Sequence, residues 1–345
     1  MEYAVMVSNP ESKSATMTEP KVVFALTSAG IDFYSAMTRI AVASLRLTNP
    51  GIRVVVACDA ETDRLMRQAR DPLLNEVDKW MSVETPYGNK NNRSRFVKTS
   101  LRNRVEGAFL FLDSDVLVRG DLSPLFTSDA DIAGVRNHCL PFAQQIWAED
   151  AETLEVMGWR VRDDAYINTG VLYFNNTQAT RRFGEEWHRH WLLSSRQRKL
   201  DHDQPAFNTV LHELRPHLAV LPDAWNAQFV KNASVVKDAL IWHYYATISG
   251  RPDTEYVLFV EDMLSGKPLD PERVKDMLNS PHPWRRRMPG DDWVARRALQ
   301  RGRLYSVEAA WFRRDLLRWG YRTVRRLAGW QARGVQVEGI VEQRP

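Results

Sequence analysis

Only two cysteines, Cys58 and Cys139, occur in 345 residues, so neither a disulfide framework nor a thiol-rich zinc site can organise the chain. Each lies in or beside an apolar segment and reads as a small core residue in a reducing compartment. Uninterrupted apolar runs are short: none approaches the roughly 18 to 20 residues that a membrane-spanning helix needs. The stretch from Met1 to Pro20 lacks the basic-then-apolar order of a secretory signal, and a cytoplasmic setting is expected. Internal repeats and low-complexity tracts are also missing, so the fold is not built from a repeated unit. Lysine is absent from residues 281–334, which carry 14 Arg and four acids, a net of +10 within a chain whose overall charge is only +4.

What is present is an ordinary soluble composition, 44% apolar, able to bury one large core or two smaller ones. The pattern divides the chain into a polar leader over 1–20, a folded region over 21–280, a basic Trp- and Arg-rich helical tail over 281–334 and a short flexible end over 335–345. Within the folded region, apolar runs alternate with amphipathic segments. Val22–Thr27 and Ile52–Cys58 read as strands, and Phe33–Leu47 and Glu61–Asn75 as helices. Ser94–Val105 is then expected as a helix leading into the strand Ala108–Leu112. Further along, Ile132–Val135, Gly170–Phe174 and Leu240–His243 are expected as strands, with helices over Ala179–Leu193 and Asp203–His212. Such alternation predicts an α/β fold built on a mainly parallel sheet, whose ligands collect at the carboxyl ends of strands.

The segment Phe109-Leu110-Phe111-Leu112-Asp113-Ser114-Asp115 places two carboxylates, one residue apart, at such a strand end. Hard divalent cations take oxygen ligands, and a metal held by few protein groups keeps positions for water and substrate phosphates. The pair therefore points to chemistry on a metal-bound diphosphate; the plain alternative is a strand end capped by turn-forming acids. Three later segments offer groups that could join it: Asn168-Thr169-Gly170-Val171-Leu172, Asp203-Gln204-Pro205-Ala206-Phe207-Asn208, and Ile241-Trp242-His243. Each alone has an ordinary structural explanation, a helix N-cap for Asp203 or a satisfied imidazole for His243.

In this order the four segments resemble glycosyltransferase family 8, retaining enzymes of the GT-A fold, over about Val22 to His243. The resemblance implies a Rossmann-like mixed, mainly parallel sheet flanked by helices. It implies that Asp113, Asp115 and His243 hold Mn²⁺ or Mg²⁺ on the diphosphate of a nucleotide-sugar donor, and that Asp203 and Gln204 act at the transferred sugar. Donor contacts are implied for Thr27, Tyr34, Arg95, Asp113, Ser114 and Asn168. The family's compact Gly-x-x-Lys-Pro-Trp phosphate clamp is missing after His243; Gly250-Arg251-Pro252 lies further along, and Arg251 is the substitute the resemblance offers for that Lys. UDP is the expected nucleotide, and a saccharide or lipid-linked sugar the expected acceptor.

The tail interleaves five Trp between Trp284 and Trp330 with its arginines. On a helical wheel Leu316, Leu317, Gly320, Tyr321, Val324, Leu327 and Ala328 share one side and Arg314, Arg318, Arg322, Arg325 and Arg326 another. That profile suits a helix in an anionic lipid interface, placing the protein peripherally on the inner face of the membrane. The alternatives are a helix packed on the folded region and, ranked last for want of any nucleic-acid module, a nucleic-acid contact. Two other readings of the whole chain compete: a haloacid dehalogenase-type phosphatase, which also places Asp-x-Asp after a strand, and a non-catalytic membrane-associated binding protein.

Overall fold

The computed structural model describes residues 19–86, 88–198, 201–229, 232–244, 254–281 and 283. The leader up to residue 18, Arg251, and the basic tail from 284 onward fall outside the described residues.

The strands are β1 (Lys21–Leu26), β2 (Arg53–Asp59), β3 (Lys79–Val83), β4 (Phe109–Leu112), β5 (Val116–Val118), β6 (Ile132–Arg136), β7 (Ile167–Phe174), β8 (Leu218–Leu221) and β9 (Ile241–His243). The helices are α1 (Phe33–Thr48), α2 (Ala60–Ala69), α3 (Leu73–Glu76), α4 (Lys90–Arg104), α5 (Ala148–Met157), α6 (Gln178–Arg198), α7 (Gln204–Leu214), α8 (Glu255–Leu264) and α9 (Pro271–Leu278). Seven strands form one sheet in the order β3-β2-β1-β4-β7-β6-β8. The pairs β3/β2, β2/β1, β1/β4 and β6/β8 are parallel, while β7 runs antiparallel to both β4 and β6. This is the mixed, mainly parallel sheet flanked by helices expected above.

Period-2 alternation along each strand divides its apolar side chains between the two faces. Val22, Phe24 and Leu26 of β1 and Leu110 and Leu112 of β4 pack with Ala41, Val42 and Leu45 of α1 on one face. Val23 and the rings of Phe109 and Phe111 meet Val97 and Leu101 of α4 and Phe183, Trp187 and Phe207 of α6 and α7 on the other. Both faces being covered explains why the strands read as continuous apolar runs. Cys58 and Cys139 are buried free thiols.

Most expected elements form, with boundaries shifted by a few residues. The expected helix over Glu61–Asn75 is instead two: α2 ends on Arg70 in the left-handed region (φ 51°), Pro72 follows, and α3 begins at Leu73. Proline cannot continue a helix whose amide it would need, which makes this the break point. Helix α4 starts at Lys90, four residues before the expected start, capped by Asn89 accepting from the amide of Asn92 at 2.8 Å. The half-buried strands β3 and β8 and the acid-rich α5 carry no clear sequence periodicity.

A two-stranded unit, β5 with β9, lies beside the main sheet. Its Trp242 is fully buried, donates its indole N–H to the Val236 carbonyl at 3.2 Å, and is covered by the Arg119 guanidinium 3.8 Å from the ring centroid. Trp242→Ala removes a large buried side chain that its neighbours cannot replace, and should destabilise the protein by about 3–5 kcal/mol in equilibrium urea unfolding.

Candidate active site

Strand pairing, more than proximity in sequence, assembles the site. Because β7 is antiparallel to β4, the start of β7 lies against the end of β4: Leu112 pairs with Val171, and the Asp113 amide donates to the Gly170 carbonyl at 2.8 Å. Asn168, Thr169 and Gly170 thereby flank Asp113. Antiparallel pairing of β5 with β9 sets Val116 opposite His243, and the Tyr244 amide donates to the Asp115 carbonyl at 2.7 Å. His243 thus arrives beside Asp115 from 128 residues downstream.

Asp113, Asp115 and His243 offer ligand atoms that all lie within 4.8 Å of one another. His243 Nε2 is 3.2 Å from Asp115 Oδ1, while its Nδ1 is 2.8 Å from Asn226 Oδ1. Asn226 donates through Nδ2 to Asn168 Oδ1 at 3.0 Å, so its own oxygen accepts from the imidazole Nδ1–H and leaves Nε2 turned to the acids. Burial opposes both charges, yet the attraction between them prevails, holding Asp115 below the usual carboxylate range and raising His243. The donor set, two carboxylates and an imidazole, fits a divalent cation, and Gly170 leaves the room. A Cβ there would lie 2.4 Å from His243 Cε1 and 2.8 Å from Asp113 Oδ2.

A cavity of about 380 Å³ opens onto this trio, and its wall includes Thr27, Tyr34, Arg95, Ser114, Asn168, Asp203 and Gln204. All of the site residues named from sequence therefore meet there except Arg251, which is not among the described residues. Thr27, at the end of β1, has a buried hydroxyl with no protein partner. Tyr34 is 38% exposed, with Lys90 Nζ 4.3 Å from its ring centroid. Asp203 occupies the N-cap position of α7, but its side chain makes no capping bond. It instead stands 3.2 Å from Arg95 Nε and 3.3 Å from Lys98 Nζ. Burial would raise the Asp203 carboxyl, and the two cations more than offset it, keeping the group below the ordinary range. Gln204 accepts the Thr169 amide at 3.2 Å.

Lys98 is the residue that motif reasoning missed. Its ammonium, on a side chain only 3% exposed, also lies 3.3 Å from Asp113 Oδ1 and from Thr169 Oγ1. One buried cation therefore bridges the carboxylate at the end of β4 and the one before α7. A signal was available, since Lys98 lies three residues after Arg95 and so on the same helical face. Asn226, which orients His243, ends a short 3-10 turn (Asp223–Asn226) between β8 and β9 and carried no such signal. Asp150, on α5, was also missed: it accepts from Tyr166 Oη at 2.9 Å and from Gln204 Nε2 at 3.4 Å, and pairs with His202 Nδ1 at 3.2 Å.

Gly170→Ala tests the metal fit. The added methyl should weaken Mn²⁺ binding at least about tenfold in titrations read by electron paramagnetic resonance, while overpacking removes about 1–3 kcal/mol of stability and leaves the circular dichroism of the fold intact.

Among solved structures, the chain is similar to galactosyltransferase LgtC, solved with donor and acceptor sugar analogs, at 16% identity and a TM-score of 0.47, over 74% of this chain and 99% of that one. It is also similar to the glycosyltransferase GlyE of Streptococcus pneumoniae TIGR4, at 19% identity and a TM-score of 0.47, over 77% of this chain and 65% of GlyE. Mouse xyloside xylosyltransferase 1 shows 14% identity and a TM-score of 0.44, over 66% of this chain and 98% of that one. No curated protein matches the sequence. The sequence model of glycosyl transferase family 8 matches residues 36–248, well over half of the chain, and takes in both strand-end acids, the start of β7, Asp203 and His243. The chain is a glycosyltransferase and belongs to family 8.

Proposed function

We propose that this glycosyltransferase moves a sugar from a nucleoside diphosphate donor, UDP in the simplest case, to a saccharide or lipid-linked acceptor with retention at the anomeric carbon. The observation that carries the reading is the convergence of Asp113, Asp115 and His243 on one wall of a cavity that Lys98, Asp203 and Gln204 also line. Asp113, Asp115 and His243 would hold the cation, and the imidazole favours Mn²⁺ over Mg²⁺. Bound there, the ion supplies Lewis-acid stabilisation of the diphosphate as negative charge builds on the leaving group.

The chain's own groups divide the remaining work. Lys98 and Arg95 keep fixed positive charge next to the departing diphosphate. Tyr34, with Lys90 across its ring, offers the base a stacking face, and the free Thr27 hydroxyl offers it a hydrogen bond. Asp203 and Gln204 orient the transferred sugar. Each Asp203 oxygen faces a cation, Oδ1 toward Arg95 and Oδ2 toward Lys98, which makes this carboxylate a weak nucleophile. Retention then follows from attack on the face the diphosphate leaves, with a phosphate oxygen accepting the proton of the acceptor hydroxyl.

Calorimetric titration of UDP-, GDP- and other nucleotide sugars, with and without Mn²⁺, tests the proposal. One donor should bind only with the metal, and Asp115→Ala should abolish that binding, a loss of at least about a hundredfold. Metal-independent binding, or binding that survives the substitution, would remove the trio from the donor site.

For residues 284–330 we retain the reading of an anionic membrane contact. Among the described residues no helix is long and apolar enough to cross a membrane. The full chain should float with phosphatidylglycerol vesicles but not phosphatidylcholine vesicles at low salt, and release toward 1 M salt, where screening shortens to about 3 Å.

A further inference from the structure

The nucleotide, metal and sugar assignments leave part of the cavity wall without a role. This part is built by the connection between β6 and β7 and by the start of α7: Asn137, His138, Trp147, Asp150 and His202 all line the cavity. Trp147 is 38% exposed; Tyr34 is the other exposed large aromatic of the described residues, and both lie in the cavity wall.

The indole is a held surface. His138 stacks on it with ring centroids 5.1 Å apart and planes 20° from parallel. His138 itself is buried, in the left-handed region (φ 62°), a conformation secured where its amide donates to Gln228 Oε1 at 2.6 Å. Asn137 fixes the same loop, donating to the Gln145 carbonyl at 2.6 Å and accepting from Asn168 Nδ2 at 2.9 Å. Non-glycine residues held in that region cost free energy and persist where the surroundings impose them, frequently at binding sites. Beside the ring, Asp150 joins His202 to Tyr166 and Gln204, so its carboxylate is tied directly to a residue that faces the transferred sugar.

We infer that the Trp147–His138 stack, with Asp150 and His202, forms the acceptor subsite, and that its occupant is an uncharged pyranose ring. The inference rests on the glycosyl-transfer reading of the cavity and extends it to the class of acceptor. A pyranose has one face of C–H groups, which suits an indole face, and an edge of hydroxyls, which suits a carboxylate and an imidazole. Charge selects against acidic sugars: Asp150 and Asp201 line this part of the cavity, and Glu149 lies 3.6 Å from His202 Nε2. Continuity through Asp150 and Gln204 places the acceptor next to the donor sugar, as transfer requires.

The test uses the full chain with Mg²⁺ and UDP, or GDP if UDP does not bind, and reads saturation-transfer NMR for the methyl pyranosides of glucose, galactose, mannose and N-acetylglucosamine and for methyl glucuronide. At least one neutral pyranoside should bind. Trp147→Ala should weaken it about tenfold or more, while Trp147→Phe holds within about threefold and the nucleotide affinity of both variants by calorimetry stays within about twofold. Trp147→Leu, which keeps apolar bulk without a ring, should show the same loss and serves if the alanine variant does not fold. Unaltered pyranoside binding in the ring-less variants, preference for the glucuronide, or no pyranoside binding by a protein that binds the nucleotide would overturn the subsite. A protein that binds no nucleoside diphosphate would instead overturn the donor reading beneath it.

Discussion

The reversal of one strand is the constraint on which this site depends. Were β7 parallel to β4, its first residues would emerge at the far end of the sheet, and Asn168, Thr169 and Gly170 could not stand beside Asp113. Antiparallel pairing brings them there, and the register of Leu112 with Val171 sets Gly170 where any side chain would strike His243 and Asp113. A second antiparallel pairing, β5 with β9, delivers the imidazole. Backbone hydrogen bonds formed for the sheet thus position a polar cluster whose members are scattered over 130 residues.

Concentrating acids at a strand end carries an electrostatic cost that the surrounding elements offset. Asp113, Asp115 and Asp203 line one cavity and would repel one another there. Lys98 lies between Asp113 and Asp203, Arg95 adds a second cation to Asp203, and His243 accompanies Asp115. Both α4 cations come from one helical face, so the orientation of α4 on the sheet sets the charge balance of the site. The ammonium of Lys98 is costly to bury alone and is stabilised only because these carboxylates are near, which couples the order of α4 to that of β4 and α7.

The connection between β6 and β7 shows a different kind of order. Its path up to Tyr166 is secured by buried amide side chains, Asn137, Gln145 and Gln228. Each amide satisfies backbone groups that an irregular segment would otherwise leave unpaired. A loop held in this way can present an aromatic ring in a fixed attitude without surrounding it with apolar neighbours.

Local pattern alone was enough to locate β1, α1, β2, α4, β4, α6 and α7, because apolar periodicity is written residue by residue and survives without knowledge of partners. It was also enough to single out Asp113 and Asp115, since a strand end and two acids are adjacent in the chain, and the ordered resemblance extended that to Asn168, Asp203, Gln204 and His243. The edge strands β3 and β8 stayed hidden because half-buried positions do not force alternation, and the break at Arg70 was overlooked although Pro72 marked it. Lys98, Asn226, Asp150 and the Trp147–His138 stack were decided by tertiary structure. A buried lysine, a loop asparagine and an exposed tryptophan look ordinary in sequence, and they acquire meaning only from the distant groups that pairing of β4 with β7 and β5 with β9, and the packing of α4 and α7, set against them. Residue type determined what chemistry was available, and the long-range register determined which groups could act together.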